Sequence, residues 1–291
     1  MTRGFLIVDK PGGITSNQVV GQVKRATGVE KVGHAGTLDP MATGALVLAV
    51  GKVTRLIRYI QDQPKEYLAT AQFGVATDTL DADGAVLSRE PMEISEGDVT
   101  GLVPRFTGAI CQVPPMVSAL KHDGRRLYEL ARSGEVVDRD ARQVMVHELE
   151  ILSVGPPPYP EVEFRVVCGK GTYVRSLADD MAGVLGGSAH LTALRRTRIG
   201  SLRASAGVTI DDMENWKSYF LSPAEAMADL VLVEVDSETA SGVRNGVRFV
   251  GGPLLSGPEE EPYGVVSPEG ELIAVYKRIG ERAEPEVVLP A

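Results

Sequence analysis

A carboxylate and an imidazole stand five residues apart in one loop, Gly33-His34-Ala35-Gly36-Thr37-Leu38-Asp39-Pro40-Met41-Ala42-Thr43-Gly44. Three glycines and a proline exclude a helix or a regular strand there, so the backbone turns sharply or approaches another group closely. A carboxylate kept ionised is a nucleophile, and Asp39 with His34 is a pairing suited to catalysis. Each residue also has an ordinary structural reading. Asp before Pro starts many turns by accepting backbone N–H bonds, and a lone histidine is more often a structural hydrogen-bonding residue than a catalyst. The two readings are separated by partners later in the chain, above all Tyr67 and Arg175.

The elements around the loop place it on a rigid base. Ala45-Leu46-Val47-Leu48-Ala49-Val50 is an unbroken apolar run and predicts a strand buried on both faces. Phe5 to Asp9 predicts a first strand, ended by Lys10-Pro11-Gly12-Gly13. Thr15 or Ser16 then caps a helix with Val19, Val20 and Val23 on one side, which Gly28 stops. Further helices are expected at Lys52 to Tyr59 and over 98–108, and strands at Tyr67 to Gly74, Val144 to Val154 and Val162 to Cys168. Asp81-Ala82-Asp83-Gly84 reads as a hairpin turn. Tyr173 to Leu185 has helical spacing, with Val174, Leu177, Ala178, Met181 and Leu185 on one face, and puts Arg175 in its first turn. The helix dipole disfavours a cation there, so a negative group nearby is expected.

Charge divides the chain. Its net charge is −9, yet from Asp211 onward 16 acidic residues face 6 basic ones, which leaves 23 acids and 24 bases before that point. Basic clusters at Lys24, Arg25 and Lys31, at Lys121, Arg125, Arg126 and Arg132, and at Arg195, Arg196, Arg198 and Arg203 allow phosphate contact within an acidic protein. The segment from Gln112 through Arg132 reads as a basic arm able to close on a polyanion. Cys111 and Cys168 lie far apart without a C-x-x-C pattern, as in a reduced cytoplasmic protein, and no run approaches a membrane span. Three motif matches fail on context. Thr79 to Glu90 mimics a calcium loop but has strands around it, Ser118-x-x-Lys121 has no serine acyl-enzyme companions, and Lys170-Gly171-Thr172 lacks phosphate-loop spacing.

Taken in order, Asp9-Lys10-Pro11 with Gly13-x-Thr15-Ser16, the Gly33–Gly44 loop, Lys65-x-Tyr67, Gln112-x-Pro114 with Ser118-Ala119-x-Lys121, and Gly171-Thr172-Tyr173-x-Arg175-Ser176 closely resemble the TruB family of bacterial tRNA pseudouridine-55 synthases. The match runs from about Gly4 to Arg196 and fades beyond Asp211. The resemblance implies an α+β fold: a catalytic domain at 1–229 with a mixed, largely antiparallel sheet, a basic arm at about 110–143, and a small β-rich, PUA-like domain at 230–291. It implies isomerisation of a uridine in the tRNA T stem-loop without cofactor or metal; a monomer is the default expectation.

By resemblance, Asp39 is the catalytic aspartate, Tyr67 stacks on the target base, and Arg175 pairs with the aspartate. His34 helps hold the flipped-out loop and Leu194 lines the base pocket; Lys10 and the basic residues of the arm, Lys121, Arg125, Arg126 and Arg132, are expected to contact substrate. The residue types agree with that chemistry. Glycosyl transfer needs an ionised carboxylate, an arginine holds one bidentately, and base extrusion costs a few kcal/mol that aromatic stacking offsets by ~1–3 kcal/mol. Val117 departs from the aromatic that many relatives carry before Ser-Ala. Two rivals are an RNA-folding chaperone without catalysis and a carboxylate-pair glycoside hydrolase, which would need Asp179 or Asp180 as its second acid.

Overall fold

Strand β1 (Gly4–Lys10) opens the chain, buried along almost its whole length, and in this computed structural model residues 2–117, 121–122, 125–126, 135 and 137–290 are described. Helix α1 (Ser16–Thr27) follows. Thr15 caps it with a complete capping box, and Gly28 ends it in the left-handed region at φ 68°, where a side chain would be strained. Strands β2 (Val32–His34) and β3 (Thr43–Val50) are antiparallel, His34 facing Leu48. β3 also runs antiparallel to β1, with Lys10 opposite Gly44 and Gly4 opposite Val50. From Ala45 to Val50 every residue of β3 is fully buried, as its unbroken apolar run predicts. The helix expected at Lys52 to Tyr59 is instead a 3-10 turn at Thr54–Leu56 leading into α2 (Ile57–Asp62).

The residues group into two compact units. One comprises 1–40, 44–63 and 198–291, and the other 41–43 and 64–197. In the second unit, β4 (Lys65–Phe73) leads to the short hairpin of β5 (Val75–Thr77) and β6 (Val86–Arg89). The helix expected over 98–108 is only α3 (Glu96–Thr100), capped by Ser95, then a 3-10 turn at Val103–Arg105. Gly97, Gly101 and Pro104 in so short a run explain the break. β7 (Gly108–Gln112) follows. Within the expected arm, β8 (Lys121–His122) pairs antiparallel with β9 (Arg125–Arg126).

The unit continues with β10 (Arg142–Val154), β11 (Glu161–Cys168), helix α4 (Val174–Val184) and β12 (Ala189–Ile199). Its strand order is β12-β4-β11-β10-β7, with antiparallel pairing of β11 to β4, β10 to β11 and β7 to β10. β12 has no counterpart in the sequence expectations. Four basic residues between 195 and 203 disguise it as a solvated segment, although Arg196 is only 2% exposed.

The chain then returns to the first unit with β13 (Leu202–Arg203), β14 (Val208–Thr209) parallel to β1, and β15 (Phe220–Leu221) antiparallel to it. A short helix α5 (Pro223–Ala226) precedes the β-rich tail: β16 (Leu232–Glu234), helix α6 (Ser237–Arg244), β17 (Phe249–Val250), β18 (Pro262–Val266), β19 (Leu272–Ile279) and β20 (Arg282–Val288), in sheet order β16-β18-β19-β20-β17. The tail keeps a core of its own around Val243, Tyr263 and Tyr276. Val266, Leu272, Val275, Val287 and Leu289 join a second core with Phe5, Ile7, Val47 and Ala49. At ~2 kcal/mol per fully buried large apolar side chain, this shared core binds the tail to the strands that carry the Asp39 loop.

Among the described residues no helix is long and apolar enough to cross a membrane, and no group of three or more His, Cys, Asp or Glu could hold a metal ion.

Candidate active site

The Asp39 loop is anchored on both sides of its carboxylate. Ser16, the first residue of α1 and 3% exposed, places its hydroxyl against Leu38: Oγ accepts from the Leu38 N–H at 2.9 Å and donates to the Leu38 carbonyl at 3.1 Å. On the other side the Pro40 carbonyl accepts from the Gly13 N–H at 2.9 Å and from the Lys10 ammonium at 3.0 Å. Pro40 itself restricts Asp39 to extended backbone. Lys10 is fully buried, and its Nζ also donates to the carbonyls of Pro11 at 2.9 Å and Ile14 at 2.7 Å. Three carbonyls around one buried ammonium suit a group that organises the loop more than one that reaches for substrate.

The start of the loop is held by its strand. Ala35 donates its N–H to the Val47 carbonyl at 2.8 Å, and Gly36 takes φ 125°, open to glycine and strained for other residues. The Gly36 N–H donates to Nδ1 of His34 at 3.3 Å. In a neutral ring that bond leaves the proton on Nε2. Asp39 and His34 are half-buried.

In the second unit, Arg175 sits in the first turn of α4 and is 3% exposed. The negative group that its position calls for includes Asp81, whose Oδ2 lies 3.1 Å from Nη1. The Thr79 carbonyl accepts from the same nitrogen at 2.8 Å, and the Val117 carbonyl accepts from Nη2 at 2.8 Å. Asp81 reads from the sequence as a turn residue, but its side chain is only 5% exposed. Its other oxygen, Oδ1, accepts from the Thr79 hydroxyl at 2.5 Å and the Asp83 N–H at 3.2 Å. A parallel bridge with Leu191 of β12 fixes its backbone. The sequence signal for burial, Thr77 and Thr79 four and two residues before the acid, is too weak to separate it from an ordinary turn.

Two distant motifs meet at the same helix end. The buried Gln112 side chain accepts from the Tyr173 N–H at 2.7 Å and donates to the Tyr173 carbonyl at 3.0 Å, as a neighbouring strand would. The Ser176 hydroxyl donates to the Val113 carbonyl at 3.0 Å. The root of the expected arm is thereby fastened to the helix that carries Arg175.

Tyr67 is half-buried on β4, opposite Val166 of β11. Leu194 lies on β12 at 7% exposure, and a recess of about 430 Å³ is lined by Leu194, Met41, Thr43, Leu68, Thr70 and Arg195, among others. Cys168, opposite Lys65, has its thiol pushed up to about 11, chiefly by burial, although Thr172, Lys65 and Arg196 pull it down. Asp179 is raised by burial while its carboxylate accepts from the Ala189 N–H at 3.1 Å, a structural use that ties α4 to β12. Lys121, Arg125 and Arg126 fall on the β8–β9 pair, and Arg132 lies outside the described residues.

Comparison with known proteins gives concordant results. Residues 24–174 match the family model of the TruB family pseudouridylate synthase N-terminal domain. Residues 175–237 match the tRNA pseudouridylate synthase B C-terminal domain, and 231–290 the tRNA pseudouridine synthase II C-terminal segment. Similar curated proteins include the tRNA pseudouridine synthase B of Symbiobacterium thermophilum, 46% identical with 84% of this chain and 82% of the relative covered, and that of Thermobifida fusca, 42% identical with 99% of each covered. Among solved structures, a chain in the crystal structure of a Cbf5-Nop10-Gar1 complex is 26% identical at a TM-score of 0.75, with 99% of this chain and 85% of that one covered.

Proposed function

The chain belongs to the TruB family of pseudouridine synthases, and on that footing we propose that its substrate is tRNA and its target the T-loop uridine at position 55. Similar proteins named for action on tRNA support the substrate class, and the Gly33–Gly44 motif supports the site. The observation that carries the reading is the Asp39 loop: a carboxylate between two anchored residues, Leu38 and Pro40, in the loop that leads into strand β3, fully buried from Ala45 to Val50.

The target uridine is extruded from the RNA loop, at a cost of a few kcal/mol that stacking on Tyr67 offsets. The Asp39 carboxylate then attacks C1′ of the ribose, or assists departure of the base, and the N1–C1′ bond breaks. The freed uracil turns, C5 bonds to C1′, the carboxylate leaves, and the proton on C5 passes to N1. The product is an isomer of the substrate, so the balance needs no cofactor, metal or second reactant. Arg175 supplies positive charge held in place by Asp81, and Leu194 gives the base an apolar wall. His34 presents an Nε2–H to the extruded loop, while the basic arm with Lys121, Arg125, Arg126 and Arg132 contacts phosphates. Lys10 acts by positioning the loop.

The test is incubation of the protein with an unmodified tRNA transcript in EDTA, with pseudouridine mapped by carbodiimide primer extension. One new stop at the T-loop uridine is expected, absent with Asp39→Asn, whose tRNA binding stays within about twofold of wild type. Turnover by the Asn variant removes Asp39 from the chemistry. Tight binding with no stop from the wild-type protein points to a non-catalytic RNA-folding role.

A further inference from the structure

We infer that Ser16 is a positioning residue for Asp39. The inference rests on the reading of Asp39 as the reacting carboxylate. One hydroxyl contacts both polar groups of the Leu38 backbone, accepting from its N–H at 2.9 Å and donating to its carbonyl at 3.1 Å. The Leu38 carbonyl belongs to the peptide that joins Leu38 to Asp39, so the bond to it fixes the plane from which the Asp39 Cα leaves. The Leu38 side chain is itself 3% exposed, which denies the residue another position.

The hydroxyl is rigidly held. Ser16 opens α1, where Thr15 accepts from the Gln18 N–H at 3.2 Å and the Gln18 side chain returns to the Thr15 N–H at 2.7 Å. Val19 and Val23 of the same helix are fully buried. Beyond Asp39, the Gly13 N–H and the Lys10 ammonium hold the Pro40 carbonyl. Asp39 therefore spans two fixed points, and the Ser16 hydroxyl is what fixes the first. Removing the hydroxyl frees the Leu38–Asp39 peptide to rotate while the second anchor stays. A displacement of about 1 Å at a reacting group lowers rate by up to about 100-fold with little effect on binding remote from it.

The experiment compares Ser16→Ala, Ser16→Thr, Asp39→Asn and Asp236→Ala with wild type, measuring kcat on tRNA transcript, tRNA Kd and Tm. Asp236→Ala removes the N-cap bond of α6, in which the carboxylate accepts from the Thr239 N–H at 2.7 Å, and serves as a control for lost stability far from the loop. Ser16→Ala is expected to lower kcat by about 10- to 100-fold, with Kd within twofold and a fall in Tm no greater than about twice that of Asp236→Ala, whose kcat is unchanged. Ser16→Thr, which keeps the hydroxyl, is expected to stay within about fivefold of wild-type kcat. A Ser16→Ala kcat within twofold of wild type, or a threonine variant as impaired as alanine, overturns the assignment. If Asp39→Asn retains turnover, the failure lies in the reading of Asp39 and not in the Ser16 contacts.

Discussion

The Asp39 loop and the Arg175 pocket hold their functional side chains in different ways. The bonds that anchor Leu38 and Pro40 come from 22 to 30 positions away, from a serine hydroxyl, a glycine N–H and a lysine ammonium, and each ends on a backbone group. Those joining Arg175 to Val117, Asp81 and Thr79 come from 58 to 96 positions away, and one ends on a buried carboxylate. The first arrangement fixes the backbone on either side of the carboxylate. The second fixes a charged side chain directly, which needs an opposite charge at close range, because a guanidinium inside a protein is costly unless it is paired. Loss of one main-chain anchor loosens the loop, whereas loss of either partner of a buried ion pair strands a charge in the interior.

The sharpest break of this comparison is Asp81→Ala. It leaves a buried guanidinium without that carboxylate, and a loss of about 3–5 kcal/mol is expected from urea unfolding, together with most of the pseudouridine-forming activity. A cost below about 1 kcal/mol would mean that Arg175 does not depend on this charge, just as the Asp39 loop is held through carbonyls. Lys10→Met is the corresponding test of the other region. It removes the ammonium shared by the Pro11, Ile14 and Pro40 carbonyls, for an expected loss of about 2–3 kcal/mol and a lower kcat at unchanged tRNA affinity. Equal stability and rate would show that Gly13 and Ser16 hold the loop without it.

The smallest effect concerns the interior of the second unit. The Cys168 thiol ionises at about 11 in the folded protein, against 9.0 for a free thiol, chiefly because it is buried. Between those values the unfolded chain has released its proton and the folded one has not, so the stability contribution is complete below pH 9 and falls away as pH rises towards 11. A loss of about 2 kcal/mol over that interval is expected, and Cys168→Ala should remove it. At pH 8, one fast equivalent of thiol reagent is expected, from the exposed Cys111. Two fast equivalents would show that this layer opens readily, unlike the loop strand β3.

What could be read without a structure follows the same division. The wholly apolar run at Ala45 to Val50, the Thr15 cap and the Gly28 stop are local signals, and each element forms where they place it. The helix expected over 98–108 failed because its glycines and proline outweigh its spacing. Strand β12 escaped notice because its arginines read as surface, and only the packed sheet makes Arg196 an interior residue.

By itself, then, the amino-acid sequence determined the family, through the order of its motifs from about Gly4 to Arg196, and the strand and loop that carry Asp39 and the helix turn that carries Arg175, through residue types close together in the chain. Tertiary structure decided that Asp81 is a buried partner of Arg175, that Gln112 replaces a strand at Tyr173, and that Ser16 and Lys10 grip the Asp39 loop. The physical reason is that a hydrogen bond or ion pair is a matter of distance and desolvation. Folding sets both for residues far apart in the chain, and no local pattern records them.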